Sequence, residues 1–145
     1  MTVKFKRMDT REPKLPAPQY QTPQAAGLDI CSREDVTLRP GESRTVPTGW
    51  AVELPHGYVA QVCPRSGLAA KHGVTVLNSP GIIDADYRGE IGVILVNHGG
   101  LIYGVRRGDR IAQLVILRAC DRRVKIVDEL TETPRGLGGF GSTGV

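Results

Sequence analysis

The sequence predicts an all-β domain that carries one short helix and a flexible, glycine-rich C-terminal arm. Its 145 residues match the size of a single domain. Short segments rich in Val, Ile and Leu recur along the chain, with the alternating or continuous apolar character of strands. The 18 Gly and 10 Pro exceed average usage and supply residues for tight turns. Such a succession of short strands is typical of a β-sandwich, a jelly roll or a barrel.

Ten segments show the strand pattern, and turn residues separate them. Pro-Gly, His-Gly, Gly-Gly and Gly-Asp pairs lie between successive segments and provide the turns. The predicted strands span residues 3–7, 28–31, 36–38, 45–54, 58–63, 74–77, 90–97, 101–105, 110–117 and 124–127.

One segment departs from the strand pattern. Residues 66–73 begin with a serine, continue through Leu and Ala, and finish with a glycine. Serine is a preferred N-cap residue and glycine a preferred terminator, so we expect a short helix capped by Ser66 and ended by Gly73.

The end of the chain lacks a strand pattern. Five glycines occur within the last ten residues: Gly136, Gly138, Gly139, Gly141 and Gly144. We therefore expect a core over residues 1–129 and a flexible arm over residues 130–145. The glycine spacing formally matches a dinucleotide-binding turn, but that motif needs a strand before it and a helix after it. An arm whose backbone N–H groups close on phosphate and a tail with no binding role are both compatible with this segment.

Composition excludes several classes of protein. The formal net charge is +4, and the 14 Arg are scattered along the chain, which argues against a nucleic-acid-binding tail. Every apolar run is far shorter than the ~20 residues of a membrane-spanning helix. The wide spacing of Cys31, Cys63 and Cys120 is typical of reduced thiols and favours a cytoplasmic protein. We expect neither a nucleic-acid nor a membrane partner.

The sequence lacks the motifs of protein-bound zinc and of serine hydrolases. His56, His72 and His98 lie in none of the sequence patterns that hold protein-bound zinc. The Gly-x-Ser-x-Gly motif of serine hydrolases is also absent from the sequence.

The start of the predicted helix is a candidate phosphate site. Arg65, Ser66 and Gly67 combine a guanidinium, a hydroxyl and the N–H groups of a helix start, all of which favour an anion. A helix cap beside a surface arginine explains the same residues equally well.

A second candidate site is the hairpin-like segment 78–90. It brings an amide, two carboxylates and a phenol close together in sequence, as Asn78, Asp84, Asp86 and Tyr87. A carboxylate at a turn beside an amide and a ring can bind a nucleoside and orient water. In a straight strand Asp84 and Tyr87 point to opposite faces, so they meet only if the chain bends. A polar hairpin with one structural Asp remains the alternative.

Five ordered motifs, spread over residues 26–142, resemble those of the homotrimeric dUTP diphosphatases (dUTPases). They are AGLD at 26–29, PRSGLA at 64–69 with KHG at 71–73, Asn78 with GIIDADYRG at 81–89, GDRIAQ at 108–113, and RGLGGFGS at 135–142. The resemblance implies a β jelly roll assembled as a homotrimer, with each site shared by three subunits. It also implies Mg²⁺-assisted hydrolysis of dUTP to dUMP and diphosphate. This reaction would supply dUMP for thymidylate synthesis and keep uracil out of DNA.

The resemblance assigns the nucleoside to the second candidate site. Asp84 would orient and activate the attacking water, and Tyr87 would pack under the sugar and exclude a 2′-hydroxyl. The pocket for the uracil edge would be formed by Asn78, Gly81, Ile82 and Ile83.

The resemblance assigns the phosphates and the metal to other motifs. Arg65, Ser66 and Gly67 would hold the phosphate chain, and Arg65 and Ser66 would act in catalysis as charge develops on the leaving group. Asp29 and Gln113 would contact Mg²⁺ only through water, and Gln113 would also contact substrate. The arm would close over the substrate, with Phe140 stacked on the uracil. Its substrate-binding residues would be Arg135, Gly138, Gly139, Phe140, Gly141 and Ser142.

Two alternatives remain open on the sequence. A dCTP deaminase, or a bifunctional dCTP deaminase and dUTPase of the related fold, would release ammonia from dCTP. A non-catalytic nucleotide-binding regulator would use the same scaffold to contact a partner. The presence of Arg65, Ser66, Asp84 and the arm together favours the hydrolase.

Overall fold

A computed structural model describes residues 2–120, 122–142 and 144 of the chain. Residues 1 and 145, the outer limits of the predicted core and arm, lie outside the described residues. The strands are β1 Lys4–Arg7, β2 Gly27–Cys31, β3 Val36–Leu38, β4 Ser43–Glu53, β5 Tyr58–Cys63, β6 Val74–Val76, β7 Gly81–Ile83, β8 Glu90–Asn97, β9 Tyr103–Val105 and β10 Arg110–Arg118. The helix is α1 Ser66–His72.

The strands form three antiparallel sheets. The two larger sheets have the orders β1-β4-β8-β6 and β2-β10-β5-β7, and β3 pairs with β9. Most pairings join strands that are distant in sequence, as in the central pair of β4 with β8. The prediction of an all-β fold is confirmed, and the described strands form separate sheets rather than a closed barrel.

A single apolar core holds the sheets together. Alternation along β8 turns Ile91, Val93 and Leu95 inward, and Leu114 of β10 is equally buried. Each such side chain contributes about 1.5–3 kcal/mol by leaving water. The core cluster includes residues from both four-stranded sheets and from the β3-β9 pair. The apolar residues that mark the strands in the sequence therefore supply the core.

Two strand predictions were wrong. Residues 124–127 form no strand in the described part of the chain, and both Val124 and Ile126 are 94% exposed. No strand in the described part of the chain pairs with these residues, although they are apolar. Conversely, β7 is a strand that the pattern missed, because its three residues become a strand only by pairing with β5.

The N-terminal segment is attached by ionic contacts to the turn before β10 and by a backbone hydrogen bond to β4. Asp9 is only 6% exposed and accepts hydrogen bonds from Arg11 Nε, at 2.9 Å, and from Arg107. The bond from Arg11 is the strongest influence, and with that from Arg107 it holds the pKa of Asp9 well below its usual range despite burial. The carbonyl of Gly49 in β4 accepts the N–H of Met8 at 2.8 Å.

No helix in the described part of the chain has the length and apolar character needed to cross a membrane.

Candidate active site

One group of candidate residues lies on the outer face of the β2-β10-β5-β7 sheet. Asp29 of β2 and Gln113 of β10 are directly opposite each other in the strand register. Their neighbours Leu28 and Leu114 point into the core, so alternation places Asp29 and Gln113 on the other face. The sheet thus brings together two predicted metal-site residues that are 84 positions apart in sequence.

The orientation of Gln113 depends on a glycine. Its Nε2 donates to the carbonyl of Pro64 at 3.0 Å, which links β10 to the start of the helix. A Cβ at Gly27 would lie 2.5 Å from Gln113 Oε1, well inside contact distance. Gly27 therefore leaves the space that the amide occupies.

Two guanidinium groups surround the carboxylate of Asp29. Arg110 Nη1 donates to Asp29 Oδ2 at 2.9 Å, and Arg65 Nε lies 3.5 Å from Oδ1. Arg65 also donates to the carbonyl of Arg110 at 3.0 Å, which fixes its side chain beside the sheet. Two cations around one anion leave this corner with positive charge, which favours an anionic ligand. Arg110 is a member of the site that the sequence did not assign a role.

Helix α1 begins directly after this corner. Its N-cap is Arg65, which has extended backbone and no side-chain cap, so the prediction that Ser66 caps the helix was wrong. Ser66 is instead the first helical residue and is exposed beside Arg65. The predicted terminator is confirmed, because Gly73 has a φ of +67° and its N–H bonds to the carbonyl of Ala69.

The second group lies at the edge of the same sheet, where β7 leads into a turn. The N–H of Tyr87 donates to the carbonyl of Asp84 at 3.2 Å, and this bond bends the chain sharply. As a result, Asp84 and Tyr87 line one cavity of about 180 Å³. The same cavity is lined by Ile82, Ile83, Ile91 and Gly92. The bend that the sequence required for Asp84 and Tyr87 to meet is therefore present.

Neighbouring residues brace this turn. Arg88 Nη1 donates to the carbonyls of Ala85, at 2.7 Å, and Tyr87, at 2.8 Å. On the N-terminal side of β7, the side chain of Asn78 packs against Gly81. A Cβ at Gly81 would lie 3.2 Å from Asn78 Nδ2. Asp86 is exposed in the turn and is absent from the residues that line the cavity.

The two groups are not bonded to each other within the described chain. No hydrogen bond or ion pair between described residues joins Asp84 or Tyr87 to Asp29, Arg65 or Gln113.

The predicted arm is not hydrogen-bonded to either group among the described residues. Its hydrogen bonds there are local turns, such as Arg135 Nε to the carbonyl of Gly138 at 2.8 Å and Ser142 N to that of Gly139 at 3.0 Å. Phe140 has a φ of +50° and is fully exposed, as is Leu137. The arm thus presents the ring of Phe140 and the side chain of Arg135 to solvent.

The described residues contain no cluster of three or more His, Cys, Asp or Glu side chains that could enclose a metal. Asp29 and Gln113 place two oxygen-bearing side chains opposite each other in the strand register, and both Asp29 oxygens already face guanidinium groups. This donor set suits an ion that keeps most of its water, as Mg²⁺ does.

Comparisons with known proteins give a consistent result. A family model described as dUTPase matches residues 13–144. A deoxyuridine 5′-triphosphate nucleotidohydrolase of Anaeromyxobacter sp. (strain Fw109-5) is 56% identical over 144 residues, which cover 99% of this chain and 98% of the relative.

Solved structures resemble the fold as well. A variant of the Staphylococcus bacteriophage 80alpha dUTPase with dUpNHpp has a TM-score of 0.90 and 30% identity, covering 99% of both chains. A variant dUTPase from phage phi11 of S. aureus, whose structure concerns coordination of a structural Mg(II) ion, has a TM-score of 0.80 and 28% identity. That comparison covers 89% of this chain and 98% of the other.

Proposed function

The chain belongs to the dUTPase family, and from that premise we propose how its residues carry out the hydrolysis of dUTP to dUMP and diphosphate. The observation that carries the assignment is the bend after β7, which places Asp84 and Tyr87 in one cavity. A carboxylate for water and a ring for the sugar are thereby held together by a single turn. In the cell this reaction supplies dUMP for thymidylate synthesis and keeps uracil out of DNA.

Asp84 acts on the attacking water. Its carboxylate is exposed at the mouth of the cavity, where it can accept a proton from water and direct the oxygen toward the α-phosphorus. Tyr87 forms the adjacent wall and leaves no room for a 2′-hydroxyl. The uracil edge meets the segment that carries Asn78, Gly81, Ile82 and Ile83.

The positively charged corner binds the phosphates. Arg65 and Arg110 together outweigh the single charge of Asp29, so a triphosphate adds the negative charge that the corner lacks. Ser66 and Gly67 follow Arg65 at the start of α1, where N–H groups lack intrahelical partners. The Ser66 hydroxyl stabilises charge on the leaving oxygen.

Asp29 and Gln113 would hold Mg²⁺ through its water ligands, and the ion would offset the negative charge of the phosphate oxygens. The geometry supports this role, because guanidinium groups already occupy both oxygens of Asp29. The structural Mg(II) ion of the phi11 relative is compatible with a magnesium-dependent family.

The enzyme works as a homotrimer with shared sites, built from a core over residues 1–129 and an arm over residues 130–145. Three features of the described chain support this: no hydrogen bond or ion pair joins the two site groups, the arm is hydrogen-bonded only within itself, and Val124, Ile126 and Leu130 are exposed. Arg135, Gly138, Gly139, Gly141 and Ser142 close on the phosphates of a neighbouring subunit, and Phe140 stacks on the base. The free thiols of Cys31, Cys63 and Cys120 support a cytoplasmic location.

Parallel assays of dUTP, dCTP, dTTP and UTP test the proposed function. We expect diphosphate release from dUTP at a rate at least ~100-fold above the other three, and a strong fall when Mg²⁺ is chelated. Ammonia release from dCTP would instead identify the deaminase alternative. Nucleotide binding without any turnover would identify the non-catalytic regulator.

A further inference from the structure

Gly89 is a glycine that the backbone does not require. Its φ lies outside the left-handed region, so a positive φ does not explain a glycine at this position. The reason for a glycine at this position must therefore lie in the space around it.

The space at Gly89 is taken by the ring of Tyr87. A Cβ at Gly89 would lie 2.5 Å from Tyr87 Cζ and 3.0 Å from Cε2, and closer still to the hydroxyl oxygen. Non-bonded carbon atoms pack at about 3.5–4.0 Å, so a methyl group and the ring cannot occupy these positions together. One edge of the ring thus rests directly on the Gly89 backbone.

The hydroxyl of Tyr87 is anchored to the sheet. It donates to the carbonyl of Glu90 at 2.9 Å. The carboxylate of Glu90 is in turn held by Arg33 Nη1, at 2.8 Å, and by the N–H of Gly49, at 2.7 Å. The acceptor therefore belongs to the β4-β8 pairing and cannot follow the ring if the ring is displaced.

We propose that Gly89 is a positioning residue for sugar selectivity. By carrying no side chain, it lets the Tyr87 ring lie against the turn with its hydroxyl bonded to Glu90, and so sets the position of the ring in the cavity. This inference rests on the proposed role of Tyr87 as the group that excludes a 2′-hydroxyl. A methyl group at position 89 forces the ring off this position and breaks the bond to Glu90.

The test compares Gly89→Ala with the wild type for hydrolysis of dUTP and UTP. The ratio of kcat/KM for dUTP to that for UTP is expected to fall at least ~10-fold, since the discrimination depends on the position of the ring. Gly100→Ala is the matched control, because a Cβ there meets nothing within 4 Å and its φ is also outside the left-handed region. This control is expected to keep the wild-type ratio.

A double-mutant comparison shows whether Gly89 acts through Tyr87. In a Tyr87→Ala background the ring is gone, so adding Gly89→Ala is expected to change the ratio less than twofold. If Gly89→Ala alone does not fold but the double variant does, the packing of the ring on Gly89 is confirmed. If neither folds, or if Gly89→Ala folds with an unchanged ratio, the proposal is overturned.

Calorimetric measurement of dUMP and UMP binding tests the role of Gly89 independently of the proposed hydrolysis of dUTP. A wild-type protein that fails to hydrolyse dUTP refutes the reaction. A Gly89→Ala protein that distinguishes dUMP from UMP as well as the wild type does refutes the role of Gly89. The two failures therefore give different results.

Discussion

Asp84 is the residue on which the proposed chemistry depends most directly. It is exposed, it faces the same cavity as Tyr87, and the turn that holds it is braced by Arg88. The carboxylate is thus held in position, and the stability of the fold does not depend on it. Its role can therefore be tested with little risk of unfolding the protein.

We predict that Asp84→Asn reduces kcat by at least ~100-fold and leaves the dissociation constant for a non-hydrolysable dUTP analogue within a few-fold of wild type. The amide preserves the shape of the carboxylate but is a poor proton acceptor. Steady-state kinetics and calorimetry measure the two quantities. The matched control is Asp86→Asn, two residues away and outside the cavity, and turnover of Asp84→Asn equal to that of this control would contradict the role.

Asp9, in contrast, contributes to the stability of the folded protein. It is buried and its pKa is held below the usual range, first by the hydrogen bond from Arg11 and then by that from Arg107. A depressed folded-state pKa gives a stabilising contribution that is present above the unfolded pKa, about 3.9, and is lost as the pH falls toward the folded value.

We therefore predict that Asp9→Asn lowers the free energy of unfolding at pH 7 and that the deficit shrinks as the pH falls below about 4. Denaturant titrations between pH 3 and pH 7 measure this difference. The exposed Asp128 provides the control, and Asp128→Asn is expected to be neutral throughout. A deficit of Asp9→Asn that is constant with pH would show that the charge of Asp9 is not responsible.

Among the structural elements, the arm and the helix differ in how they are attached. Gly73 ends α1 in the left-handed conformation, and the residues after it form β6 of the β1-β4-β8-β6 sheet. The arm, in contrast, forms only local turns in its described residues, and its large apolar side chains Leu137 and Phe140 are fully exposed. The arm therefore contributes little to the stability of the core.

We predict that deletion of residues 135–145 leaves the Tm within a few degrees of wild type but lowers kcat/KM for dUTP by at least ~10-fold. A lid needs order only when substrate is bound, so its loss affects catalysis and not folding. Thermal melts and kinetics on the same preparation separate the two effects. Phe140→Ala is the narrower variant and is expected to lose part of the activity, and full activity of the deletion would exclude the lid.

At the scale of the whole molecule, no hydrogen bond or ion pair between described residues joins the two site groups. Asp84 and Tyr87 lie at the β7 edge of a sheet, and Asp29, Arg65 and Gln113 form a corner without direct bonds to them. If neighbouring subunits supply the missing half of each site, two differently damaged chains can complement each other.

We predict that Asp84→Asn and Arg65→Ala, each nearly inactive alone, regain activity when they are unfolded together and refolded. A random mixture leaves about a quarter of the shared sites intact, so about a quarter of wild-type activity is expected. Light scattering on the same sample measures the oligomeric state. Folding each variant separately and then mixing is the control, and no gain on co-refolding would show that each site lies within one chain.

The strands and the turns were largely predictable because their signals are local. The apolar runs of β8 and β10 mark both segments as strands, and Gly73 marks the end of α1 because the left-handed conformation favours glycine. The family motifs also lie in contiguous stretches of sequence. The all-β class and the positions of most strands therefore follow from neighbours along the chain.

Other features depend on contacts between distant residues, which no local pattern contains. Whether a short apolar segment becomes a strand depends on a partner, so β7 was missed and a strand at 124–127 was wrongly expected. Arg107 and Asp9 meet across 98 residues of sequence. Local sequence specifies the fold class, most strands and the turns. Only folding decides which strands pair and which side chains meet, and it places Asp29 opposite Gln113 and the ring of Tyr87 on Gly89.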